Sequence, residues 1–254
     1  KLRRWGVRNV VVIPSVGVSP EDLPSVATAA GCDYEFISIG RLLDWKGFHL
    51  GLRAFARANI AGARYAIVGE GPEEYRLKRL ARELGIESRV DFLGHVSRDA
   101  CLRTLARSRM LVHPSLHDSG GFVLVEAMAL GKPVICLHIG GPAVIVDDSS
   151  GIRIRAADSE QTIQKLVEAM KQLHDDRALY DKLSRGAFER GHREFLWSRK
   201  MQQVNEVYTR ALADARAKQA ALLSCAYPGA ARSAQAQGGA VLEASSKKSA
   251  DVAA

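Results

Sequence analysis

The stretch that decides the fold runs from Arg109 to Leu130 and reads RMLVHPSLHDSGGFVLVEAMAL. Its first five residues are typical of a buried strand and its last nine of an apolar helix, and a glycine turn joins the two. Asp118 and Glu126 stand eight residues apart around that turn. Because an ionised carboxylate in apolar surroundings needs a partner, the pattern predicts a ligand site in which hydroxyl groups would suit Glu126.

The glycine turn itself favours an anion. The first N–H groups of a helix have no acceptor within the helix, and the helix dipole adds partial positive charge there. Gly120 and Gly121 let a ligand approach the backbone closely. A plainer interpretation stays open, in which Asp118 or Ser119 is an ordinary N-cap and Glu126 is a half-exposed helix residue.

A second segment carries two cations. The strand-like Tyr34–Ile39 runs into GRLLDWKG at residues 40–47, and an amphipathic stretch follows from His49 to Ala58. Arg41 and Lys46 therefore lie beyond the carboxyl end of a strand, which is the edge where open α/β sheets bind ligands. An arginine and a lysine together neutralise a diphosphate. Taken alone, the loop is weak evidence for a ligand site, because basic residues in surface loops are usually just solvated.

The rest of the chain alternates in the same way. Further strands are predicted at 65–68, 90–93, 110–113 and 134–137, and helices at 72–84, 98–108, 122–130, 159–174, 178–190 and 198–217. We expect Ser97 to be an N-cap and Gly85 to follow a helix end. Such alternation predicts an α/β fold, a Rossmann-like parallel sheet with helices on both faces.

Five motifs, in order, resemble the donor-binding half of the retaining family 4 glycosyltransferases, which have the two-domain GT-B architecture. They are Gly40-Arg41-Leu42 with Lys46-Gly47, Ile67-Val68-Gly69-Glu70-Gly71-Pro72, Val90-Asp91-Phe92-Leu93-Gly94, His113-Pro114-Ser115, and the acid-x7-acid run with its continuation to Val134. The resemblance covers most of the chain and implies a nucleotide-diphosphate sugar as substrate.

The resemblance also implies residue roles. Arg41 and Lys46 would hold the donor diphosphate, Glu126 the ribose, and Asp118 the transferred sugar, and these four form the expected catalytic group. Further donor-binding residues would be the strand-end glycines and the turn: Gly40, Gly69, Gly94, Ser119, Gly120, Gly121 and Phe122. Asp118 stands where the family usually has Glu, which retracts the carboxylate by about 1.5 Å, and Gly120 stands where it often has Phe.

The predicted organisation is an interdomain lead at 1–30 with a strand at Asn9–Pro14, a donor-binding domain at 31–195, a helix at 196–218 and a disordered tail at 219–254. The chain starts with Lys1 and the family's acceptor-binding domain does not precede it, so we expect that domain in cis or as a separate chain. A binding-only module that keeps the donor pocket without turnover is the alternative function.

Composition and charge limit the classes of partner that the sequence predicts. The net charge is +8, but residues 9–194 hold 24 charges of each sign, so the basicity belongs to the ends. We therefore expect no nucleic-acid partner, and nucleic-acid binding through the basic ends is only a third and poorer candidate function. The ends are solvated, or they touch an anionic membrane surface or another protein. The four cysteines form no C-x-x-C pair, and no apolar leader or membrane span is visible, which favours a cytoplasmic enzyme. His113 and His117 lack an acid between them and no Asp-x-Asp is present, so neither a metal nor a cofactor is expected.

Overall fold

The computed structural model describes residues 2–6, 10–24, 31–155 and 158–226. Its described part contains a six-stranded sheet, in which β1 is Tyr34–Ile39, β2 Tyr65–Val68, β3 Val90–Gly94, β4 Ser108–His113, β5 Val134–Leu137 and β6 Gly151–Ile154. All neighbouring strands pair in parallel, in the order β3-β2-β1-β4-β5-β6. The predicted parallel α/β sheet is therefore confirmed, whereas β6, a short strand at the edge of the sheet, was not predicted.

The strand order reverses direction between β1 and β4. From β1 the chain adds β2 and β3 on one side, then returns to place β4 beside β1 and continues outward. A crevice at the carboxyl ends of the two central strands follows from such a reversal and is the usual ligand site of open α/β sheets. The segments after β1 and β4 are the two that carry the predicted site.

Helices cover both faces of the sheet. The helices of the described residues are, in order, α1 Phe48–Ala58, α2 Glu74–Glu83, α3 Arg98–Ala106, α4 Phe122–Ala129, α5 Pro142–Ile145, α6 Ser159–Asp175, α7 Arg177–Glu194 and α8 Trp197–Ala226. Successive strand residues point to opposite faces. Phe36 belongs to the core cluster that contains residues of α1, α2 and α6, and Ile37 belongs to the cluster that contains residues of α3, α4 and α5. The predicted helices on both faces are confirmed, and the short α5 is an addition to them.

The amino-terminal segment differs from its prediction. Residues 10–14 form no strand, although they are rich in β-branched residues, and Val11 and Val12 are exposed. A strand needs a hydrogen-bonding neighbour; here it is Val18 that forms a parallel bridge with Leu196. Val16 and Val18 are buried in the core, so part of the predicted 1–30 linker belongs to the domain. Asn9 lies outside the described residues.

The carboxyl-terminal helix is longer than predicted. The chain divides into two units, residues 1–202 and 203–254, and the described part of the second unit is helical as far as Ala226. Disorder from residue 219 is therefore wrong for 219–226, because alanine, which is frequent there, has the highest helix propensity. The tail predicted as disordered from 227 to 254 lies outside the described residues.

Candidate functional site

Three predicted glycines lie at the tips of neighbouring strands. The Gly40 N–H donates to the Val68 carbonyl at 3.0 Å, and the Gly69 N–H donates to the Gly94 carbonyl at 2.8 Å. A Cβ on Gly69 would lie 2.0 Å from the Gly40 carbonyl oxygen, and Gly69 has a φ of +132°. The backbones of adjacent tips are therefore in direct contact, and a side chain at Gly69 would force them apart.

A cleft of about 330 Å³ opens at these tips. Gly40 and Gly69 line it together with the loop after β3, at His95 and Val96, and with Cys101 of α3. Arg41 also lines the cleft, is exposed, and makes no side-chain hydrogen bond or ion pair with the described residues. One predicted cation thus lies at an open cavity without a side-chain partner among the described residues, and in this sense it is uncommitted. Gly94 supports the tip of β2 but does not line the cleft.

The loops after β1 and β4 pack closely against each other. Lys46 ends a single 3₁₀ turn, Asp44–Lys46, and Gly47 follows with a φ of +66°. A Cβ on Gly47 would lie 2.1 Å from the Pro114 carbonyl oxygen, and the Leu116 N–H donates to the Trp45 carbonyl at 2.8 Å. This contact brings the Lys46 ammonium beside the acid-x7-acid run.

Lys46 and Asp118 form an ion pair at the point where the strand order reverses. The Lys46 Nζ lies 2.7 Å from the Asp118 Oδ2, with side chains that are 22% and 12% exposed. The His113 Nε2 lies 3.1 Å from the same oxygen, and the Gly120 N–H donates to Oδ1 at 3.4 Å. His113, followed by Lys46, holds the pKa of Asp118 well below its ordinary range, against the opposing effect of burial.

The turn before α4 is open to a ligand. Gly121, with a φ of +114°, is the N-cap of α4, and no side chain caps the helix. The alternative in which Asp118 or Ser119 is an ordinary N-cap is therefore wrong. Ser119 is exposed and Phe122 is 50% exposed, so both are accessible beside the turn. The uncapped first amides of α4 retain the capacity to bind an anion.

Glu126 is buried and paired. It is 6% exposed, which overturns the alternative of a half-exposed helix residue, and its Oε1 accepts from the Arg98 Nη1 at 2.6 Å. The Arg98 Nη2 in turn lies 3.8 Å from the Asp22 Oδ2. The structure supplies an arginine as the partner of this carboxylate, where the sequence predicts ligand hydroxyl groups.

Glu126 lies near the cleft by way of Cys101. Burial and then the Glu126 charge raise the pKa of the Cys101 thiol to about 11, while Arg98 opposes them. Cys101 lines the cleft beside Arg41, and Arg98, the partner of Glu126, lies three residues before Cys101 in α3, so α3 contributes both to the cleft and to the pairing of the buried acid. Within the part of the chain that the structure describes, no hydrogen bond or ion pair joins Glu126 directly to Arg41 or Lys46.

Two contributors were missed in the sequence. Arg98 opens α3, 28 residues before Glu126, at a position where a polar helix start is ordinary. His113 appears in the sequence as part of the motif His113-Pro114-Ser115 and as a rejected metal ligand, and nothing local connects it to Asp118. A larger cleft of about 680 Å³ lies along β3 and α2, and no predicted site residue lines it. The described residues contain no helix both long and apolar enough to cross a membrane.

Comparison with known proteins identifies the family. Residues 21–190 match the family model described as glycosyl transferases group 1. The lipopolysaccharide core biosynthesis glycosyltransferase LpsE of Rhizobium meliloti is 30% identical over 210 residues, 82% of this chain and 55% of that protein. The D-inositol 3-phosphate glycosyltransferase of Mycolicibacterium smegmatis is 32% identical over 187 residues, 71% of this chain and 41% of that protein.

Solved structures agree with the family match. The sucrose-phosphate synthase of Thermosynechococcus elongatus superposes with a TM-score of 0.69 at 25% identity, covering 84% of this chain and 56% of that one. HepE of Anabaena, solved in complex with UDP and glucose, has a TM-score of 0.62 at 24% identity, covering 76% and 53%. The chain spans about half the length of these relatives and has the fold of one half of a GT-B glycosyltransferase. It belongs to the group 1 glycosyltransferase family.

Proposed function

We propose that this chain is the donor-binding half of a retaining, metal-independent glycosyltransferase whose substrate is a nucleotide-diphosphate sugar. One observation carries the proposal: Lys46, from the loop after β1, meets Asp118, from the loop after β4, at 2.7 Å where the strand order reverses. A cation and an acid drawn from separate loops to that edge of a parallel sheet are suited to a ligand with both a diphosphate and hydroxyl groups.

The diphosphate is assigned to three sources of positive potential. Arg41 is uncommitted at the cleft, Lys46 is half-buried beside the turn, and α4 presents uncapped amides after Gly121. Preorganised donors of this kind stabilise the negative charge that grows on the departing nucleotide, and each can contribute about 3 kcal/mol. Because these groups are cations and amides, charge neutralisation needs no metal ion.

Glu126 and Asp118 are assigned to the hydroxyl groups. Glu126 accepts a hydrogen bond from Arg98 through Oε1 and retains Oε2 for the ribose, and Asp118 orients the transferred sugar. By family resemblance the acceptor attacks from the face of the leaving group, so the configuration at the anomeric carbon is retained without a protein nucleophile. That HepE was solved with UDP and glucose supports a sugar nucleotide as donor.

The acceptor site belongs to the other half of the enzyme. The matches cover only 55% and 41% of the two curated relatives, and the acceptor-binding domain is therefore assigned to a further part of the same polypeptide or to a separate chain. Contact of the basic ends with an anionic membrane surface is a second proposal about partners, supported only by their charge.

Calorimetric titration with UDP, GDP and ADP tests the assignment. We expect Arg41→Ala and Lys46→Ala to weaken binding of the preferred nucleotide about tenfold or more, because each removes a charge-assisted contact with phosphate. The matched controls are Arg53→Ala and Lys171→Ala, which remove exposed cations outside the site. Glu126→Gln should weaken nucleoside and nucleotide binding alike. Unchanged affinity in all three site variants would reject the assignment.

A non-catalytic nucleotide-sugar-binding module is the second candidate. The half-length coverage of the relatives favours giving it a separate test. Purified chain that binds donor but releases no nucleotide from UDP-glucose, GDP-glucose or ADP-glucose, while a form extended by the acceptor half does, would assign this chain to binding alone.

A further inference from the structure

We propose that His113 is the positioning residue for the donor sugar, because it holds Asp118 in place when Lys46 leaves that carboxylate for the diphosphate. This inference rests on the proposed function and extends it to a residue outside the acid-x7-acid run. His113 is the last residue of β4, its side chain is 6% exposed, and its Nε2 lies 3.1 Å from the Asp118 Oδ2.

The hydrogen bonds that the Asp118 carboxylate already accepts limit where a sugar hydroxyl can bind it. Each oxygen of an ionised carboxylate offers about two lone-pair sites. Oδ2 already accepts from the Lys46 Nζ and the His113 Nε2, and Oδ1 accepts a longer bond from the Gly120 N–H. A sugar hydroxyl that binds Oδ2 must therefore take a site that one of these two donors now fills.

Lys46 is the donor that can leave the Asp118 carboxylate when the diphosphate binds. Its ammonium ends a flexible side chain that is 22% exposed, and it is the group assigned to the diphosphate. His113 is nearly buried and anchored in the central strand, where its neighbour β5 pairs with it at Cys136. The exchange is therefore selective: the diphosphate takes Lys46, the sugar hydroxyl takes the vacated site on Oδ2, and His113 stays.

The tautomer of His113 follows from the same contact. An ionised carboxylate only accepts hydrogen bonds. The His113 Nε2 therefore carries a proton and donates a hydrogen bond to the Asp118 Oδ2. The contribution of His113 to the low pKa of Asp118 agrees with this direction, as does that of Lys46. Once Lys46 has turned to the phosphate, the His113 bond and the weaker Gly120 bond are what keep the carboxylate aimed at the sugar.

A pair of amide substitutions separates positioning from general structure. His113→Gln places an amide nitrogen near the position of Nε2, whereas His113→Asn falls short of Asp118 with the same chemistry. Binding is measured by calorimetry for UDP, GDP and ADP, each against its glucose conjugate. We expect His113→Asn to weaken the glucose conjugate of the preferred nucleotide about tenfold while the free nucleotide changes less than about twofold.

The remaining variants supply the controls. His113→Gln should stay within about twofold of the unaltered chain for both ligands, and His113→Asn combined with Asp118→Asn should lose no more than Asp118→Asn alone, since both remove one contact. Equal losses for nucleotide and conjugate, or identical behaviour of all His113 variants, would overturn the positioning role and leave the proposed function standing. Failure of the unaltered chain to bind any of the three nucleotides would overturn the proposed function, and this inference with it.

Discussion

At Gly69 the backbone of one strand tip touches the backbone of the next, which makes the residue a structural requirement of the site. We expect Gly69→Ala to destabilise the fold by about 3 kcal/mol or more, since the new Cβ would lie 2.0 Å from the Gly40 carbonyl and the φ of +132° is unfavourable for alanine. Urea unfolding measures the loss. Gly62→Ala is the matched control, with a φ of +70° and open space around it, and should cost about 1 kcal/mol.

Asp118 gives the site a defined pH dependence. Its pKa is lowered in the folded state by His113 and Lys46. A carboxyl with a depressed folded pKa contributes stability that is present above its unfolded pKa, about 3.9, and that is lost as the pH falls through the folded value. The contribution should therefore be complete from pH 5 to 8 and disappear only in stronger acid.

Asp118→Asn tests the direction in which the stability changes with pH. The variant should be less stable than the unaltered chain by about 2 kcal/mol near neutral pH, and the difference should shrink below about pH 4, because the Asp118 carboxyl of the unfolded chain takes up a proton before that of the folded chain does. Unfolding free energies measured from pH 7 to pH 2 give the comparison. A difference that grows toward acid pH would contradict the depressed pKa.

At the scale of elements, the start of α3 links a helix cap to the buried acid. The Ser97 Oγ accepts from the Ala100 N–H at 3.2 Å, and the next residue after Ser97 is Arg98, the partner of Glu126. Removing the cap should loosen the first turn of α3 and with it the Arg98 contact. The cap therefore influences a site to which it contributes no ligand atom.

Ser97→Ala and Asp158→Ala form a matched pair for this element. Both residues cap helices with one hydrogen bond, the Asp158 side chain accepting from the Gln161 N–H at 2.8 Å. Each loss should cost about 1 kcal/mol in chemical denaturation. Only Ser97→Ala should also weaken nucleotide binding in calorimetry, because α6 carries none of the proposed site. Equal effects of the two variants on nucleotide binding would contradict the influence of the Ser97 cap on the Arg98–Glu126 contact.

For the whole molecule, ligand binding and folding are linked. A nucleotide that binds only the folded chain stabilises it by about 2.7 kcal/mol at a hundredfold excess over its Kd. We expect one of UDP, GDP and ADP to raise the melting temperature clearly above the other two in a thermal-shift screen. Lys46→Ala should abolish most of that rise at the same nucleotide concentration. An equal rise with inorganic sulfate would point to simple anion binding instead.

Much of the fold was predictable because its causes are local. The apolar runs at Tyr34–Ile39 and Tyr65–Val68 became strands at the predicted residues, and the periodic stretch ending at Ala58 became α1. Residues 10–14 show the limit of this reasoning, since their β-branched side chains favour a strand that only a neighbouring strand could stabilise.

The sequence by itself determined the alternation of strands and helices, the glycines at the strand ends, and the placement of Arg41, Lys46 and the acids beyond those ends. These follow from period, turn chemistry and spacing along the chain. The tertiary structure alone decided that Lys46 and His113 share one oxygen of Asp118 and that Arg98 neutralises Glu126. Such partners are brought together by strand order and loop contacts, and no local pattern specifies which distant charge will fill a buried site.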